Sequence, residues 1–300
     1  MKKIITIIGA TGRVGSKTVQ LLSDKGFTLR LVARHAEKLE AFSSLPGVEI
    51  HVGSAKDAAF LAGVMKGSDV VFTMTPADFS IANVPAHQDE LGNATIEAIK
   101  QSGVKKVLNL SSVGGHTEEK TGIVAGLARQ EQRLNNLDDV DVLHLRPSYF
   151  MENLLGNIGM IKSMNINGSA IAADRAFPVI ATVDIARTAA EKLEASNWTG
   201  KSVLPLLGPK DYTMNEITKA IANVIEQPNL PYIQFPYDQA REGMKQAGLN
   251  ESFVEGYIGL SEGINEGVFN LEKRDAHSTT PTTIEDFAQS VFKPVFNSAN

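Results

Sequence analysis

Short apolar runs alternate with amphipathic stretches along the first half of the chain. The runs are rich in Ile, Val and Leu, which is typical of strands buried on both faces of a parallel sheet. In chain order they are residues 4–8, 28–33, 48–52, 70–75, 104–110 and 141–145. Helices are predicted between them, over residues 16–25, 36–42, 57–65, 87–102 and 123–137. This alternation predicts a doubly wound parallel α/β sheet.

The second half of the chain is less regular and predicts a smaller α/β lobe. Helices are predicted over residues 151–164, 184–195 with Asp184 as the cap, 213–225 behind a capping box, 238–247, 251–265 and 281–292. Strands are predicted over residues 176–182, 203–207 and 232–235. We therefore expect two domains, 1–150 and 151–300, with room for later strands to return to the main sheet.

Three glycines at a spacing of three follow the first apolar run and precede the first helix. Gly9 permits a tight turn, Gly12 leaves room for a phosphate against the backbone, and Gly15 lets the helix pack on the strand. The helix N-terminus then faces the phosphates with its N–H groups and its positive dipole end. This strand, turn and helix predict a dinucleotide site that also includes Thr11, Arg13 and Val14.

Arg34 follows the second predicted strand about twenty residues after the glycines, where a residue that contacts the ribose is expected. An acidic residue there would favour NAD, whereas an arginine suits the 2′-phosphate of NADP. Arg13 is a second candidate for that phosphate. We predict NADP(H) as cofactor, and the alternative is a solvated arginine in a loop.

Three further loops follow predicted strands and are expected at the same edge of the sheet, over residues 74–78, 111–116 and 147–153. Thr75 and Ser111 are candidates for cofactor contact, against the alternative of satisfied turn hydroxyls. The candidates for binding the substrate are Ser112, His116, Tyr149, Phe150 and Asn153. Tyr149, Phe150 and Met151 together are a candidate wall over the nicotinamide, although each is also a plausible core residue.

Composition narrows the functional classes. The hydrophobic fraction is 43%, the charged fraction is 21%, and the formal net charge is −5 without a basic block, which argues against nucleic acid as a partner. The chain has no cysteine, which excludes disulfides and thiolate catalysis. No HExxH or GxSxG pattern is present, so neither a metal site nor a hydrolase triad is predicted. We expect no membrane span, a cytoplasmic protein that binds a small-molecule substrate, and a homodimer as a candidate assembly.

Many reductases and epimerases on such sheets use a tyrosine with a lysine four residues later, because the lysine lowers the pKa of the phenol. The residues four places after the five tyrosines are Asn153, Glu216, Pro236, Arg241 and Ser261. None is a lysine. Proton transfer must then use another group or solvent, or the protein does not turn over.

The chain resembles the NmrA-like family of atypical short-chain dehydrogenases/reductases. The resemblance covers nearly the full length and rests on residues 9–15, 32–34, 109–112, 146–153, 183–186 and 208–216. It implies an NADP(H)-binding Rossmann domain with a small α/β carboxyl-terminal lobe. It also implies a function among quinone reductases, triphenylmethane-dye reductases, isoflavone-reductase-like enzymes and redox-sensing regulators. Residues 126–131 contain no lysine, which argues against the isoflavone-reductase-like mechanism.

Two functions from different classes follow. The first is an NADPH-dependent reductase of a quinone or similar flat conjugated acceptor by direct hydride transfer, which needs little internal acid because the product anion is delocalised. The alternative is a regulatory protein of the NmrA type that senses NADP(H) without turnover. A nucleotide-sugar epimerase or dehydratase is a weaker third hypothesis, since the Tyr/Lys pair is absent.

Overall fold

A computed structural model describes residues 2–76 and 80–299. The described residues form strands at these positions: β1 Ile4–Ile8, β2 Thr28–Ala33, β3 Val48–Val52, β4 Val70–Met74, β5 Lys106–Leu110, β6 Asp141–Pro147, β7 Tyr149–Phe150, β8 Asn167–Ser169, β9 Phe177–Ile180, β10 Lys201–Leu206, β11 Asp211–Tyr212 and β12 Tyr232–Gln234. Seven of them make one parallel sheet in the order β10-β6-β5-β4-β1-β2-β3. The strand order reverses direction between β1 and β4, so the predicted doubly wound fold is confirmed.

Helices connect these strands. They are α1 Arg13–Ser23, α2 Ala58–Met65, α3 Val84–Ser102, α4 Ala125–Asn135, α5 Ile158–Met164, α6 Thr182–Ala195, α7 Met214–Val224, α8 Tyr237–Gln246, α9 Glu251–Glu266, α10 Ile284–Phe287 and α11 Lys293–Ser298. Short 3₁₀ segments lie at Ala36–Lys38, Glu40–Phe42, Gly122–Val124, Met151–Asn157 and Val268–Asn270, and a π-helical segment at Ala288–Phe292 joins α10 to α11.

The main sheet is covered on both faces. On one face, α1 and α6 pack against each other and bury a core that includes Val19, Leu22 and Ile185. On the other face, α2, α3 and α4 bury a second core that includes Leu61 and Ile99. The strands between them are apolar on both sides, which explains the continuous apolar runs in the sequence.

The later residues build a second lobe around its own core. Three-stranded β11-β9-β7 and two-stranded β12-β8 pack with α5, α7 and α10 around residues such as Phe177, Tyr212 and Phe287. Two elements beyond residue 150 belong instead to the main sheet, because β10 pairs with β6 and α6 packs on α1. The division into domains 1–150 and 151–300 stays a prediction, and these two elements cross it.

Several predicted boundaries are wrong for local reasons. Helix α1 begins at Arg13 rather than at residue 16, because Gly12 already serves as its N-cap. Helix α6 begins at Thr182, and Asp184 lies inside its first turn rather than at the cap, where it accepts hydrogen bonds from the Thr282 N–H and hydroxyl at 2.9 Å each. The predicted helices over residues 36–42, 123–137 and 151–164 are wholly or partly 3₁₀ segments. The predicted capping box of α7, Thr213 with Glu216, is confirmed.

Candidate cofactor and active site

The carboxyl ends of five neighbouring strands lie along one edge of the main sheet. Across the order β2, β1, β4, β5 and β6, the residues that follow the strands are Arg34, Gly9, Thr75, Ser111 and Ser148, and Tyr149 comes one residue later at the start of β7. Four strand spacings separate the first from the last, which is roughly 19 Å. The strand order reverses in the middle of this row, between β1 and β4, where ligands of open α/β sheets bind.

The glycine turn has the geometry that its sequence predicts. Gly9 has a φ of +78°, and a Cβ there would lie 2.3 Å from the Sδ of Met74 on β4. A Cβ on Gly15 would lie 2.2 Å from the Gly9 carbonyl oxygen, so α1 approaches β1 only because residue 15 is glycine. These two glycines are required by the folded protein itself.

Gly12 differs from its two neighbours in the motif. A Cβ there would meet only the Gly9 carbonyl oxygen, at 3.3 Å, and its backbone is extended, with φ −79° and ψ 170°. The fold alone therefore opposes a side chain less strongly at Gly12 than at Gly9 or Gly15. Space left open above a phosphate-binding turn fits a pyrophosphate that approaches the backbone.

The first turn of α1 is free to bind an anion. Gly12 is the N-cap and provides no side-chain cap, so the first N–H groups of the helix have no capping oxygen from it. The N–H groups and the positive end of the helix dipole favour a phosphate there. Thr11 is half-buried beside this turn, whereas Val14 is 4% exposed and belongs to the core. Only the backbone of Val14 is available to a ligand.

The two candidate arginines lie in different surroundings. Arg34 is exposed directly after β2. Arg13 is exposed on α1 and lines a cavity of about 230 Å³ with Lys17, Glu152 and Thr282, on the side of the second lobe. Since β2 lies on the opposite side of β1 from that lobe, the hypothesis that Arg13 and Arg34 share one phosphate stays a prediction.

A buried ion pair fixes the end of β5. The Arg146 guanidinium at the end of β6 donates from Nε and Nη2 to both carboxylate oxygens of Glu131 on α4, at 2.9 and 2.6 Å. The exposed fractions of the two side chains are 12% and 3%. The Ser111 hydroxyl donates to the same Glu131 carboxylate, and Glu272 contacts the outer side of Arg146 at 3.4 Å.

This ion pair determines what Ser111 can offer to a ligand. A carboxylate held by a bidentate arginine is an acceptor only, so the Ser111 proton must point to Glu131. The serine then keeps only its lone pairs for other partners, and it is 3% exposed. Ser111 fits contact with an N–H or O–H group of a cofactor, and it is a poor proton donor.

The three residues of the predicted aromatic wall separate in the structure. Met151 is 0% exposed in the core of the second lobe, so its predicted place in the wall is wrong. Phe150 is half-buried and packs against the core between the sheet and α1. Tyr149 is half-buried on the second lobe's core, in edge contact with Phe177, and its hydroxyl lies 3.0 Å from that of Tyr257 on α9.

The other candidates are placed as follows. Thr75 is half-buried directly after β4, and residues 77 and 78 of the predicted loop lie outside the described residues. Ser112 is half-buried with its hydroxyl 3.5 Å from the Pro147 carbonyl oxygen. His116 is exposed, and Asn153 is half-buried on the 3₁₀ segment after β7. Their roles in substrate binding stay predictions.

Sequence reasoning missed two residues that the structure brings to this edge. Glu131 enters the sequence analysis only as part of the segment 126–131, which contains no lysine. An acidic residue on the buried side of a helix, together with an arginine at the end of a strand, could have indicated the pair. Tyr257 is more than a hundred residues from Tyr149, and no pattern in the chain connects them. Over residues 2–76 and 80–299, no cluster of His, Asp or Glu could hold a metal ion, and no helix is long and apolar enough to cross a membrane.

Comparison with known proteins decides the family. A family model described as NAD(P)H-binding matches residues 9–195, which include the glycine turn and both faces of the main sheet. The chain belongs to this NAD(P)H-binding family. The predicted dinucleotide-binding function is therefore confirmed.

Relatives of this NAD(P)H-binding protein include enzymes and a regulator. The NAD(P)H azoreductase of Xenophilus azovorans is 25% identical over 252 residues, which cover 84% of each chain. The NADPH-dependent quinone oxidoreductase QOR2 of Escherichia coli, solved with NADPH, has a TM-score of 0.82 at 18% identity and covers 96% of this chain and 99% of its own.

The negative transcriptional regulator NmrA, solved with NADP, has a TM-score of 0.67 at 14% identity and covers 99% of this chain and 97% of its own. These structural likenesses confirm the predicted fold and the resemblance to NmrA-like proteins. QOR2 and NmrA share this fold, so the fold alone does not distinguish a reductase from a regulator.

Proposed function

We propose that this protein is an NADPH-dependent reductase of a quinone or similar flat conjugated acceptor. The observation that carries the proposal is the order of residues along the sheet edge. An arginine suited to the 2′-phosphate stands at one end, the glycine turn lies in the middle, and Ser111 and Tyr149 stand at the other end. A dinucleotide laid along this edge has its redox ring beside Ser111 and Tyr149.

The residues present fit the cofactor. The glycine turn leaves Gly12 open, the first turn of α1 has no side-chain cap, and Ser111 is held as an acceptor by Glu131. When bound, NADPH supplies a hydride. The chain's own contribution is to hold the phosphates at α1 and to orient the ring end with the fixed lone pairs of Ser111.

The acceptor side is formed by the second lobe. Helix α9 packs on the 3₁₀ segment Gly122–Val124, where a Cβ on Gly122 would lie 2.1 Å from the Gly256 carbonyl oxygen. The same helix brings Tyr257 to Tyr149. Close packing of α9 thus places an aromatic surface next to the end of β6, which suits a flat acceptor.

The test is oxidation of NADPH, followed by its absorbance, with a panel of quinones and azo dyes. We expect turnover of at least one acceptor above the rate without protein, and slower turnover with NADH. A protein that binds NADPH but reduces no member of the panel would contradict the proposal.

A second candidate is supported by the likeness to NmrA and by the absence of a Tyr/Lys pair. In that function the protein senses the redox state of NADP(H) and changes a contact with a partner. Such a sensor needs different affinities for NADP⁺ and NADPH, since a ligand without preference shifts no equilibrium. Equal affinities in calorimetric titrations would remove this candidate.

A further inference from the structure

Two phenols meet where the main sheet faces the second lobe. Tyr149 begins β7, two residues after the end of β6, and Tyr257 lies on α9, with their hydroxyl oxygens 3.0 Å apart. Both side chains are half-buried. Phe177 packs edge-on against Tyr149 with ring centroids 5.6 Å apart, and Phe253 packs against Tyr257 at 6.0 Å. The two hydroxyls are therefore held together by packing on both sides.

The two tyrosine hydroxyl groups carry one proton that the hydrogen bond between them does not use. Two hydroxyls carry two protons, and one of them lies between the oxygens. In the described part of the chain, no other hydrogen bond is made by either hydroxyl. The second proton is therefore not used by the described residues.

Other groups at this end of the edge are less suited to give a proton. The Ser111 proton is committed to Glu131, whose carboxylate is held by Arg146. His116 is exposed at the far end of the loop after β5. Tyr149 is directly beside that loop, because the Val113 N–H donates to the Pro147 carbonyl oxygen at 3.0 Å.

We propose that Tyr149 donates the proton that completes reduction of a neutral acceptor, with Tyr257 as the positioning residue that donates a hydrogen bond to it. This inference rests on the proposed reductase function. A neutral acceptor that takes the hydride becomes an oxygen or nitrogen anion. The Tyr149 O–H bond breaks and its proton joins that anion. The Tyr149 phenolate takes the proton of Tyr257, and water returns a proton to Tyr257.

Burial determines when either phenol gives up its proton. Burial raises the pKa of Tyr149 well above its ordinary value, and burial also raises the pKa of Tyr257. Both phenols therefore keep their protons at neutral pH until a stronger base forms beside them. The localised nitrogen or oxygen anion produced by hydride addition to an azo compound or a carbonyl is such a base, whereas the delocalised anion of a reduced quinone is a weaker one. The chemical class expected for this step is therefore an azo compound or a carbonyl.

The experiment compares acceptors that need a proton with one that does not. Wild type, Tyr149→Phe and Tyr257→Phe are each loaded with NADPH, and single-turnover rates are measured in H₂O and D₂O with a quinone, an azo dye and a cationic triphenylmethyl dye. The cationic dye becomes neutral when it takes a hydride and needs no proton. Tyr232→Phe is the matched control, since its hydroxyl bonds Ser169 and Ile171 within the second lobe.

We expect Tyr149→Phe to slow reduction of the azo dye by about 10²-fold and Tyr257→Phe by about tenfold, with a smaller loss for the quinone because its product anion is delocalised. Tyr149→Phe should lose the solvent isotope effect, whereas Tyr257→Phe should keep it because Tyr149 is still present to donate. Both variants should reduce the cationic dye at the wild-type rate and bind NADPH with unchanged affinity by calorimetry. Tyr232→Phe should match wild type in its rates, its solvent isotope effect and its affinity for NADPH.

Three results would overturn the inference. They are unchanged rates with neutral acceptors in both variants, an equal loss for neutral and cationic acceptors, or a solvent isotope effect that survives in Tyr149→Phe. The second result would indicate a structural role only. If wild type binds NADPH and reduces nothing, the proposed function fails, and the proton donor fails with it. If wild type does not reduce the cationic dye, the solvent isotope effect with the neutral acceptors decides whether Tyr149 is the proton donor.

Discussion

Arg34 is the residue whose charge bears most directly on cofactor choice. It is exposed immediately after β2, next to the strand that carries the glycine turn. A guanidinium there can form charge-assisted hydrogen bonds with a 2′-phosphate, and NADH has no such group. The proposed preference for NADPH is therefore assigned to this side chain, with Arg13 as the second candidate.

Reversing the charge of Arg34 tests this preference. Arg34→Glu should weaken NADPH binding by about 2–4 kcal/mol, because a favourable contact is lost and a repulsive one is added. NADH binding by the same variant is the internal control and should change far less. Calorimetric titration with both cofactors measures the difference. Equal losses for the two cofactors would show that Arg34 does not contact the phosphate.

Single residues differ in how far the sequence could predict them. The roles of Gly9 and Gly15 follow from a local motif, and the structure confirms them because a Cβ at either position meets neighbouring atoms at 2.3 and 2.2 Å. Glu131 and Tyr257 act through contacts across the fold, with Arg146 and Tyr149 respectively. Such contacts depend on how elements pack, and no local pattern encodes that packing.

At the scale of elements, β6 is tied to its neighbours by a buried histidine. His144 lies on this strand and is 1% exposed. Its Nδ1 accepts a hydrogen bond from the side-chain amide of Asn109 on β5 at 3.0 Å. Its Nε2–H donates to the side-chain oxygen Oδ1 of Asn135 at the end of α4, also at 3.0 Å. Burial lowers the pKa of His144 to about 4, so the ring is neutral in the folded protein at neutral pH.

This histidine makes stability depend on pH in a defined direction. In the unfolded chain, this histidine binds a proton once the pH falls below its ordinary pKa of about 6.5. In the folded protein it binds the proton only near pH 4. Stability should therefore fall as the pH is lowered from about 6.5 to 4, by up to about 3 kcal/mol from this residue. Urea unfolding across this range measures the fall.

The matched variant for that measurement is His144→Gln, which keeps polar atoms in the strand but does not titrate. Its stability should decline less steeply than that of wild type between pH 6.5 and pH 4. A constant difference between the two proteins across the range would show that folded His144 titrates normally.

Element ends were less predictable than the elements themselves. The capping box of α7 was predicted because both partners lie within four residues of each other. The start of α6 was not, since Asp184 bonds Thr282 from the carboxyl-terminal segment instead of capping its own helix. A polar residue near a helix start has several possible partners, and tertiary contacts decide among them.

For the whole molecule, the sequence predicted the main sheet well and the second lobe less well. Apolar runs in the first half match β1 to β6 because a parallel sheet buries both faces of each strand. The later strands β7, β8 and β11 are two or three residues long and gave no periodic signal. The assembly as a homodimer and the cytoplasmic location stay predictions.

The central claim is that this edge of the sheet binds NADPH through the open glycine of its turn. The most direct test is calorimetric titration of NADPH into wild type, Gly12→Ala and the control Gly63→Ala, together with thermal unfolding of each. Gly63 lies on α2 with open space around its Cβ position. A methyl group at residue 12 would meet only the Gly9 carbonyl oxygen, at 3.3 Å, which is a tight contact that a small shift of the turn would relieve. It should block a phosphate at a small cost in stability, which thermal unfolding measures.

We predict that wild type and Gly63→Ala bind NADPH at micromolar concentrations. Gly12→Ala should unfold at a slightly lower temperature than wild type, because alanine is a poorer N-cap than glycine. It should bind NADPH at least about tenfold more weakly, a loss of about 1.4 kcal/mol. The account would be contradicted if wild type took up no NADPH, or if Gly12→Ala bound it as tightly as wild type.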